Sequence, residues 1–268
     1  MGVVLGTTSS TRRAAVAGLF YPAPGRELRA TVRGLLDGAS PSGPPPKAVI
    51  APHAGYPYSG PVAASAFRCA AARRAAIRRV VLVGPSHFVR FAGVASSGAL
   101  AFETPLGTVE VDTIAQDALS ALPFVTALPE AHAREHCLEV ELPFLQEILG
   151  PFRIVPLVVG DATTEEVGRA LELAWGGDET LVVVSSDLSH YHDYDTARTI
   201  DAATARAIEE LRFADIEPEH ACGSLAIRGL LWVARRKGLR AATLDLRSSG
   251  DTAGPRHEVV GYGAWTLA

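Results

Sequence analysis

Three short β-branched runs in this 268-residue sequence are each followed within a few residues by a histidine. Ala48-Val49-Ile50-Ala51 leads into Pro52-His53-Ala54-Gly55-Tyr56, and Val80-Val81-Leu82-Val83 leads into Gly84-Pro85-Ser86-His87. Leu181-Val182-Val183-Val184 leads into Ser185-Ser186-Asp187-Leu188-Ser189-His190. A fourth run, over 241–246, is followed by Arg247-Ser248-Ser249-Gly250-Asp251. A lone histidine after a strand is ordinarily a loop residue bonded to backbone, but three such positions and an acid at a fourth form a pattern. Neutral imidazoles and a carboxylate are the donors of a divalent metal site, and two histidines with one carboxylate and open positions favour non-haem iron(II). The same ligands also hold zinc.

Those residues need a frame that delivers them to one place. Short apolar runs alternate with helical patterns of ten or more residues, which predicts a single α/β domain with a mostly parallel or mixed sheet flanked by helices. Helices are expected over about 25–37, 61–76, 113–121, 135–149, 194–212 and 221–237, and one more capped by Thr163 or Thr164 with Glu165 and Glu166 in its first turn. Strands are expected at 154–159, 241–246 and 258–266 besides the three named, with a hairpin-like excursion between Phe91 and Val111. Ser40-Pro41-Ser42-Gly43-Pro44-Pro45-Pro46 reads as a stiff surface loop. Ligands of open α/β sheets bind at the carboxyl ends of strands, which is where His53, His87, His190 and Asp251 fall.

Composition narrows the field further. The chain is 48% hydrophobic and 20% charged, enough for a large core and unlike a disordered or coiled-coil sequence. Its net charge of −4 gives no basic footprint for nucleic acid. Three cysteines fit a reducing compartment rather than a disulfide framework. The apolar stretches are too short for a membrane span, and the N-terminus lacks a basic region ahead of its apolar residues, so a cytoplasmic protein is expected. No Walker A, G-x-G-x-x-G or G-x-S-x-G motif occurs. Glu135-His136-Cys137 opens a predicted helix with acids in its first turns, a pattern the macrodipole favours; His136 is also placed to support a ligand. Cys222 begins a helix and reads as a structural cysteine or a pocket thiol. His132, His192, His220 and His257 have polar or turn neighbours and read as surface residues.

Several longer motifs carry a resemblance. Ala14 to Pro22 (AAVAGLFYP), APHAGYPYSGPVAA from Ala51, VGPSHF from Val83, ETPLG from Glu103, EHCLEVELPFLQ from Glu135, SSDLSHY from Ser185, and SGD with VVGYGAW near the C-terminus resemble the Memo family. Its prokaryotic members are called AmmeMemoRadiSam system protein B, and the likeness spans about 13–266. That family is similar in fold to class III (LigB-type) extradiol dioxygenases, which bind iron(II) through two histidines and an acid. The resemblance implies His53 and His87 as metal ligands, His190 as the acid/base, and Asp251 where the animal relative has a cysteine ligand. Carboxylate is the harder donor, so Asp251 favours iron(II), with zinc or copper as the other options.

The expectation that follows is a metal-dependent oxidoreductase of unknown substrate. Asp187 would fix the His190 tautomer, while His136, Glu135, Tyr56 and Cys222 would lie around the pocket. The resemblance also implies AMMECR-like and radical-SAM partner proteins. It keeps two alternatives open: a non-catalytic peptide- or partner-binding protein with a vestigial pocket, and a zinc-dependent hydrolase.

Overall fold

Runs of Val, Ile, Leu and Ala that are apolar at every position can be buried on both faces, and such runs form the centre of this molecule. In the computed structural model, which describes residues 11–40 and 43–268, they are strands β1 (Ala48–Ala51), β2 (Arg79–Pro85), β3 (Arg153–Val159) and β4 (Thr180–Ser185). They lie parallel in the order β3-β2-β4-β1, with Val81 opposite both Val155 and Val182. Two longer strands, β5 (Ala241–Ser248) and β6 (Val259–Leu267), form an antiparallel pair, and β6 closes antiparallel onto β1. At the other side, Gly107–Val111 runs parallel to β3 and forms the expected hairpin with Ala101–Thr104.

The two-residue period of a strand divides these side chains between two cores. Val49, Val80, Leu82, Leu181 and Val183 face α1 (Gly25–Gly38), α2 (Tyr56–Ala70) and α3 (Leu142–Ile148). Ile50, Val81, Val83, Val182 and Val184 face α4 (Thr164–Ala174) and α6 (Ser224–Lys237); α5 (Tyr194–Glu209) adds Ala205 and Ile208 to that side. The result is one α/β domain with a mixed sheet between two helical layers. Thr163 and Glu166 close a capping box at the start of α4, as their spacing predicts.

Two helices depart from expectation. α2 begins at Tyr56, several residues early, because Pro57 sits in its first turn, where a missing N–H costs nothing. The helix expected over 135–149 is a 3₁₀ turn at Glu139–Glu141 followed by α3, with Pro143 again in the first turn. The residues from Glu135 to Leu138 stay outside it. The leader reading of residues 1–10 and the Pro41-Ser42 pair of the proline-rich loop lie outside the described residues. Among the described residues, no helix is long and apolar enough to cross a membrane.

Candidate metal centre

Because β1, β2 and β4 are parallel, the turns after them emerge on one edge of the sheet. His53 follows β1, and its backbone N–H donates to Asp187 Oδ1 at 2.7 Å, which ties the end of β1 to the turn after β4. Its Nδ1 lies 2.8 Å from Ser185 Oγ, and its Nε2 is on the far side of the ring, 3.2 Å from Cys222 Sγ. His87 follows β2; its N–H and Nδ1 contact the two oxygens of Glu135 at 2.7 and 2.8 Å. His136 stacks on His87 with ring centroids 4.6 Å apart, and both rings meet His53 edge-on at 5.2–5.4 Å. The donor nitrogens of His53, His87 and His136 all lie within 4.8 Å of one another.

A fourth histidine, His190, lies near enough to the cluster to interact electrostatically with His53 and His87. His190 donates from Nδ1 to Leu188 O at 2.7 Å, and its ring acts electrostatically on His53. Burial lowers the pKa of His53 well below the usual range, and the neighbouring imidazoles lower it further. Burial and His87 bring His136 down to about 4, and burial also lowers His190. These rings are therefore neutral at pH 7, with lone pairs available to a cation. Glu135 is the counter-case: burial would raise it, but hydrogen bonds and charge from His87, with His136, hold it at about 2. A carboxylate fixing the far nitrogen of a ring whose near nitrogen faces a common point is how protein metal sites orient histidine. Imidazole-rich sets suit zinc, copper and iron, so the donor chemistry fits the group implied by the sequence.

Other buried acids complete the surroundings. Glu139 accepts from the backbone N–H of Ala15 and Val16 and from Tyr21, and forms a fully buried ion pair with Arg12. Arg12 also donates to the carbonyls of His132 and Glu135, holding the His136 turn from behind. Glu141, equally buried, lies 2.8 Å from Ser185 Oγ. Cys222 Sγ stands 3.2 Å from His53 Nε2, and burial pushes its thiol up to about 12. It also borders a cavity of about 530 Å³ whose wall includes Arg90, Phe91, Val159 and Leu225.

Four sequence expectations change. Asp251 is not in the group of donor atoms that converges at the imidazoles. Its carboxylate accepts from Ser248 N and Oγ at 2.9 and 3.1 Å and from Tyr194, with Arg256 at 3.7 Å, beyond the end of β5. Asp187 does not orient His190, which the Leu188 carbonyl holds; it fastens the His53 backbone instead, and burial raises its pKa to about 7. Tyr56 belongs to the core behind the site, where its hydroxyl donates to Val140 O. His132 is buried rather than on the surface, with Nε2 on Ala95 O. Sequence reasoning missed Ser185, Glu139 and Glu141; the acids at 135, 139 and 141 look like helix capping until the helix is seen to start after them.

Residues 12–266 match the model of the Memo-like protein family. A MEMO1 family protein of Aquifex aeolicus is 36% identical over 263 residues, covering 94% of this chain and 97% of that one. One of Nitrosopumilus maritimus is 32% identical over 271 residues, covering 94% and 98%. Among solved structures, an uncharacterized protein from Escherichia coli K12 superposes with a TM-score of 0.50 at 16% identity, over 81% of this chain and 98% of that one, which is a likeness of fold alone.

Proposed function

The chain belongs to the Memo-like family, and from its cluster of strand-end imidazoles we infer a metal-dependent enzyme, an oxidoreductase related to the class III extradiol dioxygenases. One observation carries the reading: the donor nitrogens of His53, His87 and His136 converge within 4.8 Å at the carboxyl edge of the parallel strands. These three rings would hold the ion. Iron(II) is the metal we favour, with zinc and copper as alternatives the same donors accept. The bound ion would supply Lewis acidity toward a chelating substrate and toward dioxygen.

The protein's own groups do the rest. His190, neutral and anchored through Nδ1 to a carbonyl, presents Nε2 as a group able to take a proton from a substrate hydroxyl and return it. Phe20 and Phe88 flank His136, with ring centroids 4.7 and 6.0 Å from its own. Glu135 keeps two of the rings in place, and Asp187 locks the backbone of the third.

The test is anaerobic reconstitution with Fe(II) of the wild type and of His87→Ala, His136→Ala and Asp251→Ala. The wild type and Asp251→Ala should each bind one equivalent. The two histidine variants should lose more than the roughly 10–100-fold that outer-sphere partners are worth. Retention by His136→Ala with loss in Asp251→Ala would replace our ligand set with the two-histidine-one-carboxylate set.

A second reading rests on a different observation: Leu19, Tyr58 and Phe88 are exposed apolar residues on the segments that flank the imidazoles. Such a rim suits a peptide or a partner protein, among which AMMECR-like and radical-SAM proteins are the proposed candidates. Oxygen uptake with a panel of catechols separates the readings. Turnover supports the enzyme, whereas silence from iron-loaded protein that captures a partner supports the binder.

A further inference from the structure

Ser185 sits where three groups compete for one hydroxyl. Its Oγ is 2.8 Å from His53 Nδ1, 2.7 Å from the carbonyl oxygen of Cys137 and 2.8 Å from Glu141 Oε1. His53, Cys137, Glu141 and Ser185 are all buried, so water does not settle the matter. A serine hydroxyl has one proton to give and two lone pairs to fill. The Cys137 carbonyl can only accept, and it takes that proton. The other two neighbours must then donate: His53 from Nδ1–H, Glu141 from a carboxylic O–H.

The competing allocations fail on the same count. If Ser185 gave its proton to Glu141, the imidazole would still have to donate, and the carbonyl contact would have none. If Ser185 gave its proton to Nδ1, the buried Cys137 carbonyl would lose this donor. Leaving a buried acceptor unmade costs about 1–3 kcal/mol. Among the described residues Glu141 forms no ion pair and its Oε2 has no hydrogen-bond partner, and burial raises its pKa well above the carboxylate range, all consistent with a neutral acid that donates. On the far side of the ring, the Cys222 thiol at 3.2 Å offers Nε2 a donor, which requires a lone pair there.

We propose that Ser185 and Glu141 are positioning residues that fix His53 with its proton on Nδ1 and its lone pair on Nε2, the ring nitrogen turned away from the serine. The neutral acid fills one lone pair of Ser185, His53 fills the other, and the serine proton is left for the backbone. His53 thus carries an unprotonated Nε2, with the Cys222 thiol as its neighbour, before any ion arrives. His87 reaches the same state through a charged carboxylate, so the two rings are set by chemically different devices.

The decisive measurement is the tautomer of His53 in the metal-free protein, read from long-range ¹⁵N–¹H correlation of ¹⁵N-histidine-labelled protein and assigned by the signal lost in His53→Gln. A protonated Nδ1 with an unprotonated Nε2 is expected. A protonated Nε2 overturns the proposal, and this arm needs no variant to fold. In Ser185→Ala the signal should move toward a mixture of tautomers, and Co(II) affinity, read from its visible absorption, should fall about 10–100-fold. Glu141→Gln keeps a donor toward Ser185 and should retain the wild-type tautomer and affinity, whereas Glu141→Leu should shift both toward Ser185→Ala. Folded Ser185→Ala with an unchanged tautomer would also overturn the proposal. The affinity arm rests on the metal reading above. Failure of wild type to bind Co(II) would sink that reading alone, since the tautomer is judged without metal.

Discussion

Glu135 accepts from the ring and backbone of His87 and from the backbone N–H of His136 and Cys137, so one carboxylate joins the end of β2 to the turn that carries another imidazole. Glu135→Gln keeps the shape but loses the charge and one acceptor; metal affinity should drop about 10–100-fold, measured by competition against a chelating dye. His132 predicts a pH dependence. Burial brings its pKa from 6.5 to about 4, so the unfolded chain binds its proton more readily than the folded protein. Stability from this residue is complete above pH 6.5 and is lost as pH falls toward 4, by up to about 3 kcal/mol. Urea unfolding of His132→Gln should show a shallower decline across that window than the wild type. At this scale the sequence exposes positions better than roles. His53, His87 and His190 stand out because they follow strands. Asp251 also follows one, yet Ser248 captures its carboxylate three residues back in a local capping box, a competition invisible in a motif.

The strands were legible because each buried run is bounded by Gly, Pro or Ser and its period assigns alternate residues to two cores. Helix starts were less so. Pro57 and Pro143 each begin a helix although proline reads first as a breaker, and the acids before α3 are consumed by tertiary bonds that have no local signature. Close approach between elements was likewise hidden. Gly84, in β2, lets the Cys137 turn come so near that a β-carbon there would lie 2.6 Å from Cys137 Sγ. Gly84→Ala should push that turn, and with it Glu135 and His136, away from β2. Overpacking of this kind costs about 1–3 kcal/mol. Metal affinity should fall in the folded variant, by calorimetric titration, even though no ligand is altered.

On the scale of the molecule, the segment ahead of α1 is fastened to the site by the Arg12–Glu139 pair. Arg12→Met leaves Glu139 buried without its cation and should destabilise the protein by about 3–5 kcal/mol in urea titration. Binding of an ion should work the other way: at 100 times its dissociation constant it adds about 2.7 kcal/mol, and a chelator should reverse the rise in melting temperature. The fold class was readable throughout, because alternation of strands and helices is a property of the whole chain.

The pairing of β1 has one more consequence, for biosynthesis. This strand carries His53 beyond its carboxyl end, yet among the described residues it pairs only with β4 and β6, which begin at Thr180 and Val259. During translation β1 emerges early and waits, apolar along its whole length, until much of the polypeptide has been made. Non-local pairing of this kind is slow and leaves apolar surface open to aggregation. A nascent fragment ending before Thr180 lacks both β4 and β6, so β1 cannot yet take its place in the sheet with His53 at its end.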